Sequence, residues 1–276
     1  MRYPHYTDNG LRSAPAVVFI GSLGTTLTMW DAQIEELGRR YRTIAVDLPG
    51  HGGTPVPQTP CTVPGFAAQV LRLMDALGVT RFSVVGLSFG GAVVQALAGS
   101  HPDRIESVVI ACAAPRYTAE FWHDRAEEVR KRGLTGVLQR TALRRFAPGF
   151  DLREPEAYAA SLLMLATMDP LGYAACCDAL ATHDAGALLP RITAPTLILA
   201  GELDHVTPPA LVREMHALVS DSELRLIRGC GHLANIEKPL EFNTLVDTHL
   251  ANSIGSQEAS FRPAERATDR HDRARA

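Results

Sequence analysis

Short runs dominated by β-branched and aliphatic residues, at 16–20, 43–46, 83–85, 107–111, 196–200 and 224–227, alternate along this chain with amphipathic segments at 30–37, 63–77, 92–98 and 208–219. No other feature constrains the fold as tightly. A strand that is apolar on both faces must be covered on both faces, and helices placed between such strands supply the cover while returning the chain in a parallel sense. The pattern therefore predicts an α/β fold, a mostly parallel sheet with helices on both faces. Hydrophobic residues make up 46% of the 276 and charged residues 21%, which is enough apolar surface for one large core.

The alternation breaks between about 116 and 190. Here "AEFWHDRAEEVRKRG", "GVLQRTALRRF" and "PEAYAASLLMLATM" read as helices bounded by Gly or Pro, with no clear strand. A helical insertion between two strands of one sheet is explained as a cap over the carboxyl edge, where open α/β sheets bind their ligands. The predicted organisation is a core of 1–115 and 191–253, a helical cap of 116–190, and a tail of 254–276 that is poor in apolar residues and expected to be disordered.

The formal charge of −3 comes from 27 basic and 30 acidic residues, so no broad positive field is present to hold nucleic acid or anionic lipid. The start of the chain lacks a signal-peptide pattern, and no apolar run reaches the roughly 18 residues of a bilayer span. These features read as a cytoplasmic protein whose partner is a small molecule; they leave the oligomeric state open. The five cysteines, Cys61, Cys112, Cys176, Cys177 and Cys230, show neither CxxC pairing nor zinc spacing and read as packed free thiols.

Within this frame "VVGLSFGGAVV" carries chemistry. The stretch fits G-x-S-x-G with a strand before it and a helix after it, the context in which Ser88 stands on a sharp turn as a nucleophile. Gly86 and Gly90 clear the space through which the two backbones pass. A serine needs a base, and the base needs an orienting acid. His232, in "GCGHLANIEKP" after the last strand, is the expected base; Asp204, in "LAGELDHVTP" at the end of another strand, is the expected acid, in the chain order serine, acid, histidine.

Glu202 in the same loop is a weaker alternative acid. His51, in "DLPGHGGTP", precedes the nucleophile and reads as a loop residue beside the site, with Asp47 bracing that loop. The oxyanion donors are expected to be the backbone N–H groups of Phe89, directly after the nucleophile, and Leu23, in the turn after the first buried strand.

These motifs identify the chain as resembling the α/β-hydrolase superfamily over nearly all its length to about residue 253. More narrowly, "SLGTTLTMWDAQ", "GLSFGG", "AAPRYTAEFWHDR" with "LRRFAPGF", and "GHLANIEKP" are similar to 3-oxoadipate enol-lactonases. The resemblance implies an ester or lactone hydrolase without metal or organic cofactor, acting on a butenolide whose substituent ends in a carboxylate. It implies a cation in the cap pocket, at Arg116 or Arg125, with Trp122 as an aromatic wall. The chain departs from the family pattern at Gly21, where Asn or His is usual, at Arg145, where Trp is frequent, and in "VDLPGHGGTPVP". A neutral-ester carboxylesterase, a cofactor-free perhydrolase or haloperoxidase, and a non-catalytic receptor of the same fold are the alternatives.

Overall fold

A computed structural model describes residues 3–260. A seven-stranded sheet is built from β1 (Tyr6–Asn9), β2 (Ala16–Ile20), β3 (Arg42–Val46), β4 (Phe82–Leu87), β5 (Ile105–Ala111), β6 (Thr196–Gly201) and β7 (Ser222–Ile227). The strand order is β1-β3-β2-β4-β5-β6-β7, with β1 antiparallel to β3 and every other pairing parallel. The one antiparallel strand, β1, forms an edge of the sheet. Each sequence-predicted run is a strand of this sheet, and the doubly covered parallel architecture is the one the apolar runs require.

The period-2 geometry of a strand sends neighbouring side chains to opposite faces. In β2, Val18 and Ile20 enter one apolar cluster while Val17 and Phe19 enter the other; in β5, Val108 and Ile110 separate from Val109 and Ala111 in the same way. Helices α2 (Val63–Ala76), α3 (Phe89–Ser100) and α9 (Pro209–Leu218) cover the first face. The second face is covered by α1 (Asp31–Leu37), α10 (Ala234–Glu237) and α11 (Pro239–Ser260).

Between β5 and β6 the chain forms α4 (Ala119–Arg132), α5 (Thr135–Arg145), α6 (Phe150–Arg153), α7 (Pro155–Ala166) and α8 (Pro170–Ala181). The last of these was not among the helices anticipated from sequence. It is buried on most sides, through Tyr173, Ala174, Cys176, Cys177 and Leu180, so it carries no polar stripe to betray a period of 3.6. Its start signal is nevertheless present: Asp169 caps it, accepting from the N–H groups of Leu171 (2.8 Å) and Gly172 (3.2 Å), with Pro170 at the first turn.

One expectation needs correction. The tail predicted to be disordered from 254 begins inside α11, which runs to Ser260. Ser253 is buried and Ile254 packs against the second core, so the helix has apolar support beyond the point where composition suggested its end. The remainder of that stretch, 261–276, lies outside the described residues. No single helix among those described is long and apolar enough to cross a membrane. The five cysteines are unpaired; all but the half-buried Cys61 are buried.

Candidate active site

β4 ends at Leu87 and α3 begins at Phe89, so Ser88 is the hinge between them, with φ 56° and ψ −111°. That backbone region is strained for a residue with a Cβ. The surroundings enforce it: the Ser88 N–H donates to the Ala111 carbonyl (2.9 Å), and the Gly90 N–H donates to that of Gly21 (3.0 Å). A Cβ added to Gly86 would run into the Gly90 carbonyl, and one added to Gly90 into that of Ile20. The two glycines are therefore required by close backbone approach, as the motif implied.

Ser88 and His232 line one cavity of about 620 Å³. His232 follows β7 and is buried; its Nδ1 lies 2.8 Å from Oδ2 of Asp204, in the loop after β6. A carboxylate only accepts, so Nδ1 carries the proton and Nε2 presents a lone pair. Asp204 also accepts from the N–H groups of Val206 (2.7 Å) and Thr207 (3.0 Å) and from the Thr207 hydroxyl (2.7 Å). Burial pushes its carboxyl upward, but the His232 ring and the Thr207 donors outweigh that and hold it below the ordinary value.

Among the described residues the Ser88 hydroxyl makes no hydrogen bond, with His232 or otherwise, and opens into the cavity that both share. Bonds of this kind commonly tighten only when substrate is present. Glu202 is engaged elsewhere, accepting from the Gly229 N–H at 2.9 Å, so the structure brings Asp204 rather than Glu202 to the histidine.

The turn after β2 closes over Ser88. Neither the Leu23 N–H nor the Phe89 N–H has a protein acceptor among the described residues, and Leu23 lines the cavity. His51 supports this turn. It is fully buried, its Nδ1 lies 2.9 Å from the Pro49 carbonyl, and its Nε2 accepts from the Gly24 N–H at 3.1 Å. Burial, with a further push from Arg145, lowers its pKa to about 4, so it is a neutral acceptor. Asp47 braces the neighbouring loop through His5 (2.7 Å) and the N–H groups of Leu27 (2.7 Å) and Gly53 (2.9 Å).

The cavity roof belongs to the inserted helices and is strongly basic. Arg116, Arg125, Arg144 and Arg145 all line it, and among the described residues no carboxylate does. They are not equivalent. Arg116 is ion-paired to Glu214 at 2.7 Å with its side chain 60% exposed, which places the first of the two sequence candidates at the rim with its charge already met. Arg125 is held among the rings of Phe121, Trp122 and Tyr173, donating to the Tyr173 hydroxyl (3.0 Å) and to Thr141. Trp122 lines the same cavity, edge-on to Tyr117.

Sequence reasoning missed three supports. Arg145 was noted only as a departure from a family pattern. Glu237, buried behind His232, accepts from the N–H groups of Gly231 (2.7 Å) and Ala147 (3.1 Å). The Tyr117 hydroxyl lies 3.5 Å from the Ser88 carbonyl. None has a local signal, because each acts across a separation that only folding closes. Cys112, Asp204 and His232 also bring three metal-ligand atoms within 4.8 Å of one another. Burial raises the Cys112 thiol well above its ordinary pKa, and the carboxylate and imidazole are bonded to each other, an arrangement suited to moving a proton rather than holding an ion.

With that geometry in view, a family model for the alpha/beta hydrolase fold matches residues 15–239. Over 244 residues the chain is 36% identical to 3-oxoadipate enol-lactonase 2 of Acinetobacter baylyi, covering 88% of this chain and 91% of the relative. The enol-lactonase of Burkholderia xenovorans superposes with a TM-score of 0.87 at 33% identity, over 90% of this chain and 96% of that one. A thermophilic esterase of Thermogutta terrifontis, solved with malate bound, gives 0.86 at 27% identity over 90% and 93%.

Proposed function

The chain belongs to the α/β hydrolase family, and from that premise we propose that it is a serine hydrolase that opens a small enol-lactone bearing a free carboxylate. One observation carries the reading: Ser88 and His232, the latter held by Asp204, line a cavity whose other wall carries Arg116, Arg125, Arg144 and Arg145. The first feature suits acyl transfer and the second an anionic substrate. The two relatives named as enol-lactonases support the same substrate class.

In this mechanism Ser88 Oγ attacks the lactone carbonyl while its proton passes to His232 Nε2. Asp204 keeps the opposite nitrogen protonated and stabilises the imidazolium. The Leu23 and Phe89 amides receive the developing oxyanion. Collapse breaks the ring C–O bond; the departing enolate oxygen takes the proton from His232 and stays tethered within the acyl-enzyme. Water, deprotonated by the same imidazole, then releases the acid. Every step uses side chains, amides and water alone. Arg125, recessed among aromatic rings beside the cavity, is better placed than Arg116 to meet the substrate carboxylate. A cytoplasmic setting accompanies this reading, supported by five cysteines none of which is bridged.

The test is a panel of lactones and aryl esters with and without a carboxylate, run beside fluorophosphonate labelling. Label on Ser88 and a preference of at least tenfold in kcat/KM for carboxylate-bearing lactones are expected. Ser88→Ala should lose on the order of a millionfold in kcat. A variant that keeps near-normal hydrolysis ends the mechanism, and preference for neutral esters ends the substrate assignment.

A further inference from the structure

Arg145, the last residue of α5, is 2% exposed, and among the described residues its side chain bonds to carbonyls and a hydroxyl and to no carboxylate. Its Nη1 donates to the Ser161 carbonyl (3.1 Å) and hydroxyl (3.2 Å); its Nη2 donates to the carbonyls of Leu23 (3.0 Å) and Gly24 (2.9 Å). Its own backbone carbonyl accepts from the N–H groups of both His232 and Leu233 at 2.9 Å. A residue of the inserted helices thus grips the turn after β2 with its side chain and the histidine segment with its main chain.

We propose that Arg145 is a positioning residue for the oxyanion turn, orienting the free Leu23 amide toward the carbonyl attacked by Ser88. The two peptides that follow the Leu23 amide are fixed by charge-assisted bonds to one nitrogen, and the Gly24 N–H is fixed from the other side by His51. Rotation of either peptide would leave a buried guanidinium hydrogen without an acceptor, which holds the turn in one conformation. Because all of its acceptors are neutral, the cation is uncompensated in the resting site. It therefore adds a positive field beside the point where negative charge develops during attack. Burial lowers its pKa to about 10, so it remains charged at neutral pH.

The role rests on the serine-hydrolase reading, and the experiment separates the two. Arg145→Met and Arg145→Lys are compared with wild type on phenyl acetate, which is neutral, and on monophenyl succinate, which carries a carboxylate. Phenylboronic acid affinity reports the tetrahedral adduct. Substitution removes the side-chain bonds to Leu23 and Gly24 but keeps the main-chain bond to His232.

The methionine variant should lose about 30-fold in kcat on both substrates, and a similar factor in boronate affinity. KM and the pH profile of kcat/KM should stay as in wild type. Lysine keeps the charge but lacks the planar fork, and should recover part of the loss; if methionine does not fold, a fall of about 3-fold or more in kcat of the lysine variant carries the test. Unchanged kcat and boronate affinity overturn the assignment. So does a rise in KM confined to monophenyl succinate, which would make Arg145 a substrate anchor. A wild-type chain that turns over neither ester refutes the hydrolase reading and this role with it; a competent wild type matched by its variants refutes the role alone.

Discussion

Acidification should weaken this fold through His51 in a way that can be measured separately from the rest of the protein. The ring is fully buried, donates from Nδ1 to Pro49 and accepts from Gly24 at Nε2. It has no room for a second proton without losing the Gly24 bond. Its pKa is near 4 in the folded chain against an ordinary 6.5.

Between those values the unfolded chain binds the proton that the folded chain refuses, so stability falls as pH drops from 6.5 to 4 and is flat above. The gap, at about 1.4 kcal/mol per pH unit, is worth about 3 kcal/mol. Urea unfolding at pH 7, 6, 5 and 4.5, for wild type and for His51→Gln, measures it. Glutamine can still accept from the Gly24 N–H but does not titrate, so the difference between the two proteins should shrink by about 2 kcal/mol from pH 7 to 4.5. His183, also buried with a pKa lowered to about 4, titrates in both proteins and cancels in the difference. A pH-independent difference would refute the reasoning.

Three further outcomes follow from the site. Asp204→Asn keeps the shape but not the acceptor-only character opposite His232 Nδ1, so the wrong tautomer is favoured; kcat should fall by about 10⁴ while urea unfolding remains cooperative. Gly90→Ala forces a Cβ against the Ile20 carbonyl at the turn. It should cost on the order of 100-fold in fluorophosphonate labelling rate and lower the melting temperature. Arg125→Gln removes the charge held among Phe121, Trp122 and Tyr173. It should raise KM about tenfold for carboxylate-bearing lactones and leave neutral esters within twofold; equal effects on both would assign Arg125 to the architecture of the roof instead.

The parallel sheet and its covering helices were legible in the local pattern, and the same kind of signal singled out Ser88, Asp204 and His232 as the residues proposed for catalysis. Each of those rests on a local signal: an unbroken aliphatic run, a pair of glycines around a serine, a polar residue just past a strand end. How the roof is used emerges from packing alone. As letters of the sequence, Arg116, Arg125, Arg144 and Arg145 are indistinguishable. In the folded chain Arg116, in the loop after β5, meets Glu214 of α9, while docking of α4, α5 and α8 seats Arg125 among aromatic rings and drives Arg145 inward onto carbonyls 121 and 122 positions away. Helix α8 and the extension of α11 to Ser260 were hidden for the same reason. An apolar stripe shows that a helix has a buried side, but what lies against that side is set by contacts distant in the chain, and those exist only once the chain has folded.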